Sequence, residues 1–156
     1  MNAPPLPKAT VLYVDDEETD VFFMRTAFRK EGLDHLLRVV GNGREALDYL
    51  AGRAAYADRE RHPPPSVVLL DLNLPLVSGF DVLKWLRDHP ELKDVPVVVF
   101  SSSSRNEDKA KARELGANEY VEKPTSGLLF REVVRGLRER WLAEQPENDQ
   151  EYRNGK

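Results

Sequence analysis

The sequence predicts an α/β protein, a (βα)5 three-layer sandwich around a mostly parallel sheet. Two observations carry this prediction. Short runs of apolar β-formers, among them Val11-Leu12-Tyr13-Val14 and Val67-Val68-Leu69-Leu70, alternate with segments of helical periodicity. Both runs close on aspartate, at Asp15-Asp16 and at Asp71, and the C-terminal ends of parallel strands face the crevice where open sheets bind ligands. Right-handed crossovers then set helices on both faces of the sheet.

Strands are expected near residues 10–14, 36–40, 67–71, 96–100 and 119–121, where Val, Leu and aromatic residues cluster. Helices are expected near 18–31, 43–51, 79–88, 105–116 and 125–142. Asn42 and Ser78 stand at N-cap positions, where a short polar side chain accepts from the free N–H groups of a first turn. Thr125, after Pro124, opens the last helical pattern, and Gly32 and Gly116 sit where helices should stop. Two segments stand outside this alternation. The connection 53–66 is far longer than the usual span of about two to six residues, and its Pro63-Pro64-Pro65 should be extended and stiff. The stretch 143–156 lacks an apolar face and, like 1–7, is expected to be a flexible extension.

Composition narrows the function. At 156 residues the chain has the length of one domain with a real core. A net charge of −4 and a pI near 5.5 argue against a nucleic-acid binder with a basic face. No apolar run approaches the roughly 18 residues of a membrane span, and the first residues lack the pattern of a signal peptide. Cysteine is absent, which removes disulfides, thiolate chemistry and Cys-ligated zinc. A cytoplasmic location is expected.

The acidic strand ends are the chemically informative feature. Asp15, Asp16 and Asp71, crowded at one sheet edge, repel one another and invite a divalent cation. Lys123, in Tyr-Val-Glu-Lys-Pro, follows the last short strand and can supply the counter-charge. Taken singly, Asp15 or Asp16 would read equally well as a helix cap, and Lys123 as a solvated lysine; their coincidence with Asp71 is what favours a site. His35, His62 and His89 have no metal-ligand spacing and read as surface residues.

These motifs, in order, resemble a receiver domain of the two-component response regulators: Asp15-Asp16, then Asp71-Leu72-Asn73-Leu74-Pro75 with Gly79, then Ser101, then Lys123-Pro124. The resemblance covers residues 8–142 and implies a flavodoxin-like fold with strand order 2-1-3-4-5. Further segments (Asp-Asp-Glu-Glu-Thr-Asp-Val, Leu-Leu-Asp-Leu-Asn-Leu-Pro, the long connection before the third strand, the Arg-Trp-Leu ending) are similar to the single-domain regulators paired with cyanobacterial and bacterial phytochromes. The function so implied is phosphoryl acceptance from a sensor histidine kinase, with no enzymatic turnover beyond the chain's own phosphorylation and dephosphorylation. Asp71 is then the nucleophile. Asp16, Asp71 and the backbone carbonyl of Asn73 ligate Mg²⁺, with Mn²⁺ a substitute and Asp15 acting through water. Lys123 and Ser101 contact the phosphoryl oxygens, and Tyr120 matches the switching aromatic. The resemblance also implies a cis Lys123–Pro124 bond, which X-Pro sequences adopt at a cost of only about 0.5–1 kcal/mol.

Two rival readings remain. A phosphorylation-independent interaction module on the same fold is disfavoured because every charged group of the site is present. A haloacid-dehalogenase-type Mg²⁺-dependent phosphatase wants a second aspartate two residues after its nucleophile, whereas Glu17 follows Asp15-Asp16. The last helix raises self-association. If Leu129, Val133 and Leu137 face the core, Phe130, Val134 and Trp141 fall on a neighbouring flank, where aromatic residues anchor interfaces. A homodimer through that helix is expected.

Overall fold

The computed structural model describes residues 9–142; the expected extensions 1–7 and 143–156 lie outside the described residues. Five strands, β1 (Val11–Val14), β2 (Leu37–Val40), β3 (Val67–Leu70), β4 (Val97–Ser101) and β5 (Glu119–Glu122), form one all-parallel sheet in the order β2-β1-β3-β4-β5. Helices α1 (Glu18–Lys30), α2 (Gly43–Ala51), α3 (Gly79–Asp88), α4 (Asn106–Glu114) and α5 (Phe130–Leu137) cover it. Each lies within a residue or two of its predicted span, except the last.

The period of two along each strand divides the core between the two faces. Val11 and Tyr13, Val67 and Leu69, Val98 and Phe100 point to one side, against Met24, Ala27 and Phe28 of α1 and Phe130, Val134 and Leu137 of α5. Their neighbours Leu12 and Val14, Val68 and Leu70, and Val97 point to the other, against Ala46, Tyr49 and Leu50 of α2 and Val82, Leu83 and Leu86 of α3. With both faces covered, the central strands are continuous apolar runs rather than alternating ones. A smaller cluster of Leu72, Val99 and Ala112, with Phe80 and Tyr120 packed against it, seats α4.

The helix signals in the sequence do their work locally. Asn42 Oδ1 accepts from Glu45 N at 2.8 Å while its Nδ2 donates to Glu45 Oε2, closing a reciprocal cap on α2. Ser78 Oγ accepts from Asp81 N and caps α3. Gly32 and Gly116 hold φ of 72° and 103° where α1 and α4 end. The long connection is folded onto α2 instead of hanging free. It contains a 3₁₀ turn at Ala54–Tyr56, and the Arg59 guanidinium donates to the carbonyls of Tyr49 and Leu50 in the last turn of α2 and to that of His62 within the connection. His62 packs edge-on against Tyr49 and Tyr56, and His89 lies against Trp85, so both are half-buried rather than surface residues.

The last helix departs from expectation. Thr125 does not open it: Ser126 accepts from Leu128 N and caps a 3₁₀ turn at Gly127–Leu129, α5 begins at Phe130, and a π-helical turn follows at Arg138–Leu142. The later start sets a different phase. Phe130, Val134 and Leu137, at i, i+4 and i+7, form the buried stripe, with Phe130 and Val134 1% and 0% exposed. The expected interface residues Phe130 and Val134 are therefore core residues. Phe130 packs on Phe23 and Phe100 at 5.6 and 5.5 Å between ring centroids, and each such burial is worth about 1.5–3 kcal/mol. Leu129, expected inside, is exposed, and Val133 is half-buried at the edge of that core. Trp141 is also half-buried, its indole N–H donating to Glu119 Oε1 at 2.9 Å.

Candidate functional site

The sheet delivers three carboxylates to one edge. Val14 ends β1 and Leu70 ends β3, and these residues are paired in register, so Asp15 and Asp71 emerge side by side. Asp16 follows at the mouth of the crevice and is exposed, whereas Asp15 and Asp71 are 1% and 4% exposed. One carboxylate oxygen from each of Asp15, Asp16 and Asp71 lies within 4.8 Å of the others. Such a convergence of hard anionic oxygens suits a small divalent cation.

Asp15 is heavily engaged by the protein. Its Oδ2 accepts from the buried Tyr13 hydroxyl at 2.6 Å and lies 2.9 Å from Lys123 Nζ, while its Oδ1 accepts from Glu17 N at 2.9 Å. That leaves it fewer free lone pairs for direct ligation than Asp16, which makes no side-chain hydrogen bond or ion pair to the other described residues. Asp71 Oδ1 accepts from Asn73 N at 3.2 Å, a turn that carries the backbone of Asn73 beside the carboxylate. Burial lifts the Asp71 carboxyl above the ordinary carboxylate value against the pull of the Lys123 charge, and the Asp15 charge lifts it further.

Lys123 leaves the end of β5 and reaches across the crevice. Its backbone N–H donates to Ser101 O at 2.8 Å, tying the ends of β4 and β5 together. Its ammonium lies 2.9, 2.8 and 3.0 Å from Asp15, Asp20 and Asp71. Burial alone would make it easier to deprotonate, but hydrogen bonds to Asp20 and Asp15 and the charges of Asp71 and Asp15 outweigh that and raise its pKa. The expected cis bond to Pro124 is not found, because the described residues contain no cis peptide. The trans form, which X-Pro bonds favour, already brings the ammonium to all three carboxylates.

Backbone proximity demands glycine at position 79. A Cβ there would come within 2.2 Å of Asp71 O and 2.7 Å of Leu72 Cα, so the loop after β3 folds tightly over the end of that strand only with hydrogen at that place. Leu76, at φ 71°, sits 80% exposed at the tip of this loop.

Ser101 closes β4 and is fully buried, its Oγ accepting from Ser103 N at 3.2 Å. Tyr120 on β5 is half-buried, with its hydroxyl donating to Ser103 O at 2.8 Å. The loop after β4 therefore joins the two candidate switch residues through Ser103. Asp20 is the site residue that the sequence reading did not single out. The available signal was its place in the first turn of α1, the helix that begins directly after the Asp15-Asp16 strand end.

Comparison with known proteins identifies the family and the fold. The family model described as the response regulator receiver domain matches residues 11–135. Response regulator Rcp1 of Synechocystis sp. is 32% identical over 136 residues, covering 87% of this chain and 90% of Rcp1. The Mn²⁺-bound crystal structure of Rcp1 superposes with a TM-score of 0.77 at 31% identity, covering 88% of this chain and 96% of that one. The phosphorylated cyanobacterial phytochrome response regulator RcpA gives 0.80 at 32% identity, covering 88% and 98%. The response regulator RPA3017 in red light signaling of R. palustris gives 0.80 at 33% identity, with the same coverage. This chain belongs to the response regulator receiver family, and its similar proteins include phytochrome-associated regulators.

Proposed function

We propose that this receiver chain accepts a phosphoryl group on Asp71 from the phosphohistidine of a sensor histidine kinase, and that it signals through the change this makes at Ser101 and Tyr120. The observation that carries the reading is the buried Asp71 carboxylate flanked by an acidic cluster on one side and the Lys123 ammonium, 3.0 Å away, on the other. In the transfer, an Asp71 carboxylate oxygen bonds to phosphorus as the nitrogen–phosphorus bond breaks, and the kinase imidazole leaves with the electron pair.

The protein's part is positioning and charge. Asp16, Asp71 and the Asn73 carbonyl would hold Mg²⁺, with Asp15 contributing through water and Mn²⁺ able to substitute, as the Mn²⁺-bound form of Rcp1 suggests by similarity. The ion supplies neutralisation of the phosphoryl oxygens. Lys123 offers N–H donors to one of those oxygens, and the Ser101 hydroxyl, at the adjacent strand end, offers another. Drawing Ser101 and the Ser103 loop inward would shift the carbonyl on which Tyr120 rests. No catalytic turnover on an outside substrate follows from this arrangement.

The similarity to RcpA favours a phytochrome-type kinase as donor. A homodimer is retained from the resemblance, with Phe130 and Val134 excluded from its contacts by their burial. The test is phosphotransfer profiling. Purified phosphorylated histidine kinases, phytochrome-type ones among them, are mixed with the chain and with the Asp71→Asn protein. Rapid transfer from one kinase to the unaltered chain alone supports the reading; no transfer from any kinase, or equal labelling of the variant, counts against it.

A further inference from the structure

Lys123 is held by three carboxylates, and one of them, Asp20, belongs to neither a strand end nor the Asp15-Asp16-Asp71 cluster. We propose that Asp20 is a positioning residue that holds the Lys123 ammonium in place while Asp71 changes its charge. The proposal rests on the phosphoryl-acceptor reading above.

An ammonium has three N–H donors. Here it donates to Asp20 Oδ2 at 2.8 Å and to Asp71 Oδ2 at 3.0 Å, and is ion-paired with Asp15 Oδ2 at 2.9 Å. The three carboxylates are not equivalent in chemistry. The Asp71 carboxyl loses its own charge once it becomes an acyl phosphate and the negative charge moves out onto the phosphoryl oxygens, so its contact with the ammonium must rearrange during transfer. Asp15 is shared with the Tyr13 hydroxyl and with the acidic cluster, where a bound cation competes for its charge. Asp20 is the anchor shared with neither, among the described residues.

Its origin also differs. Asp15 and Asp71 approach from the strand ends, whereas Asp20 approaches from the first turn of α1. A lysine side chain has a flexible four-carbon stem, and fixing its head between a strand side and a helix side removes freedom that it would otherwise lose at the transition state. The Asp20 side chain is 22% exposed against 9% for Lys123, so Asp20 bounds the ammonium on the solvent side of the crevice.

Holding by hydrogen bond and holding by charge give different results on substitution. Asn keeps an acceptor oxygen at nearly the same place without the charge, and Ala keeps neither. With phosphoramidate as donor and saturating Mg²⁺, Asp20→Ala should lower the rate of phosphoryl uptake by about tenfold or more, the effect of losing one hydrogen bond to a charged group. Asp20→Asn should recover most of that rate. A second readout follows the lysine directly. The Lys123 ammonium ¹H–¹⁵N signal should be visible in the unaltered protein and in Asp20→Asn, and exchange-broadened in Asp20→Ala. Mg²⁺ affinity, measured by calorimetry, should change by less than about threefold in Asp20→Ala, since Asp20 is not among the converging ligands.

Unaltered uptake in Asp20→Ala, or a loss in Asp20→Asn as deep as in Asp20→Ala, would overturn the inference while leaving Asp71 as acceptor. An unaltered chain that takes up no phosphoryl group at all would overturn the functional reading instead. In that case the ammonium signal still decides whether Asp20 holds Lys123.

Discussion

Replacing Lys123 by methionine is the perturbation that asks most of the site. Methionine keeps the apolar stem and roughly the length, but leaves Asp15, Asp20 and Asp71 facing one another without a cation. The ammonium sits 2.8–3.0 Å from three carboxylates, and at an effective dielectric of about 20 each contact is worth about 5–6 kcal/mol before desolvation is subtracted. Breaking a buried ion pair by removing one partner costs about 3–5 kcal/mol net. The low end applies here, because the Asp20 side chain is 22% exposed and water screens part of the repulsion left behind. The expected loss is therefore about 3 kcal/mol of unfolding free energy near neutral pH in the presence of a chelator. It should shrink as pH falls, because protonating the remaining carboxylates removes the repulsion. A divalent cation should narrow the difference. Mg²⁺ at about a hundred times its Kd adds about 2.7 kcal/mol, and the variant should bind Mg²⁺ more tightly because a competing positive charge has been removed. Urea unfolding of both proteins, with chelator and across a Mg²⁺ titration, measures all of this. Equal stability in chelator, or weaker Mg²⁺ binding by Lys123→Met, would mean that the ammonium does not offset the three carboxylates.

Three further outcomes are expected. Asp16→Ala should weaken Mg²⁺ binding by at least about tenfold, read by calorimetry, while the metal-free fold holds or gains stability from reduced repulsion; unchanged affinity would remove Asp16 from the ligand set. Phe130→Ala should cost about 3–5 kcal/mol of stability by urea unfolding, as a cavity in a packed core does, and a drop below about 1 kcal/mol would return Phe130 to the surface. The Tyr56 hydroxyl, pushed up to about 12 by burial and by its hydrogen bond to Glu45, keeps its proton longer folded than unfolded. Its contribution is thus complete below the ordinary tyrosine value near 10 and is lost as pH climbs towards 12. Tyr56→Phe should flatten the fall of stability between those values, and an unchanged slope would contradict the assignment.

Much of this was legible in the sequence because the deciding interactions are local. β1, β3 and β4 are apolar runs that end where a charged or polar residue takes over, and Asn42 and Ser78 announce their helices through a cap three residues long. The site was legible for the same reason: Asp15 and Asp71 are fixed to neighbouring strand ends as soon as the β1–β3 pairing is known. What escaped depended on phase or on distance in sequence. A 3₁₀ turn at Gly127–Leu129 delays α5, and a shift of one residue turns a helix by about 100°, enough to exchange Phe130 and Val134 for Leu129. Asp20 meets Lys123 across 103 residues, and no local pattern announces such a pair. Arg59 likewise reads as one solvated arginine in a charged segment until its guanidinium is seen closing the end of α2.

The proposed function stands or falls with Asp71 as the phosphoryl acceptor. Its most direct test is intact-mass analysis of the chain after incubation with a small-molecule phosphodonor, followed by peptide mapping after borohydride trapping of the acyl phosphate. The expected result is a gain of one phosphoryl group that requires Mg²⁺ or Mn²⁺, maps to Asp71 and disappears in Asp71→Asn. A gain that persists in that variant, maps to another residue or proceeds equally well in chelator would contradict it.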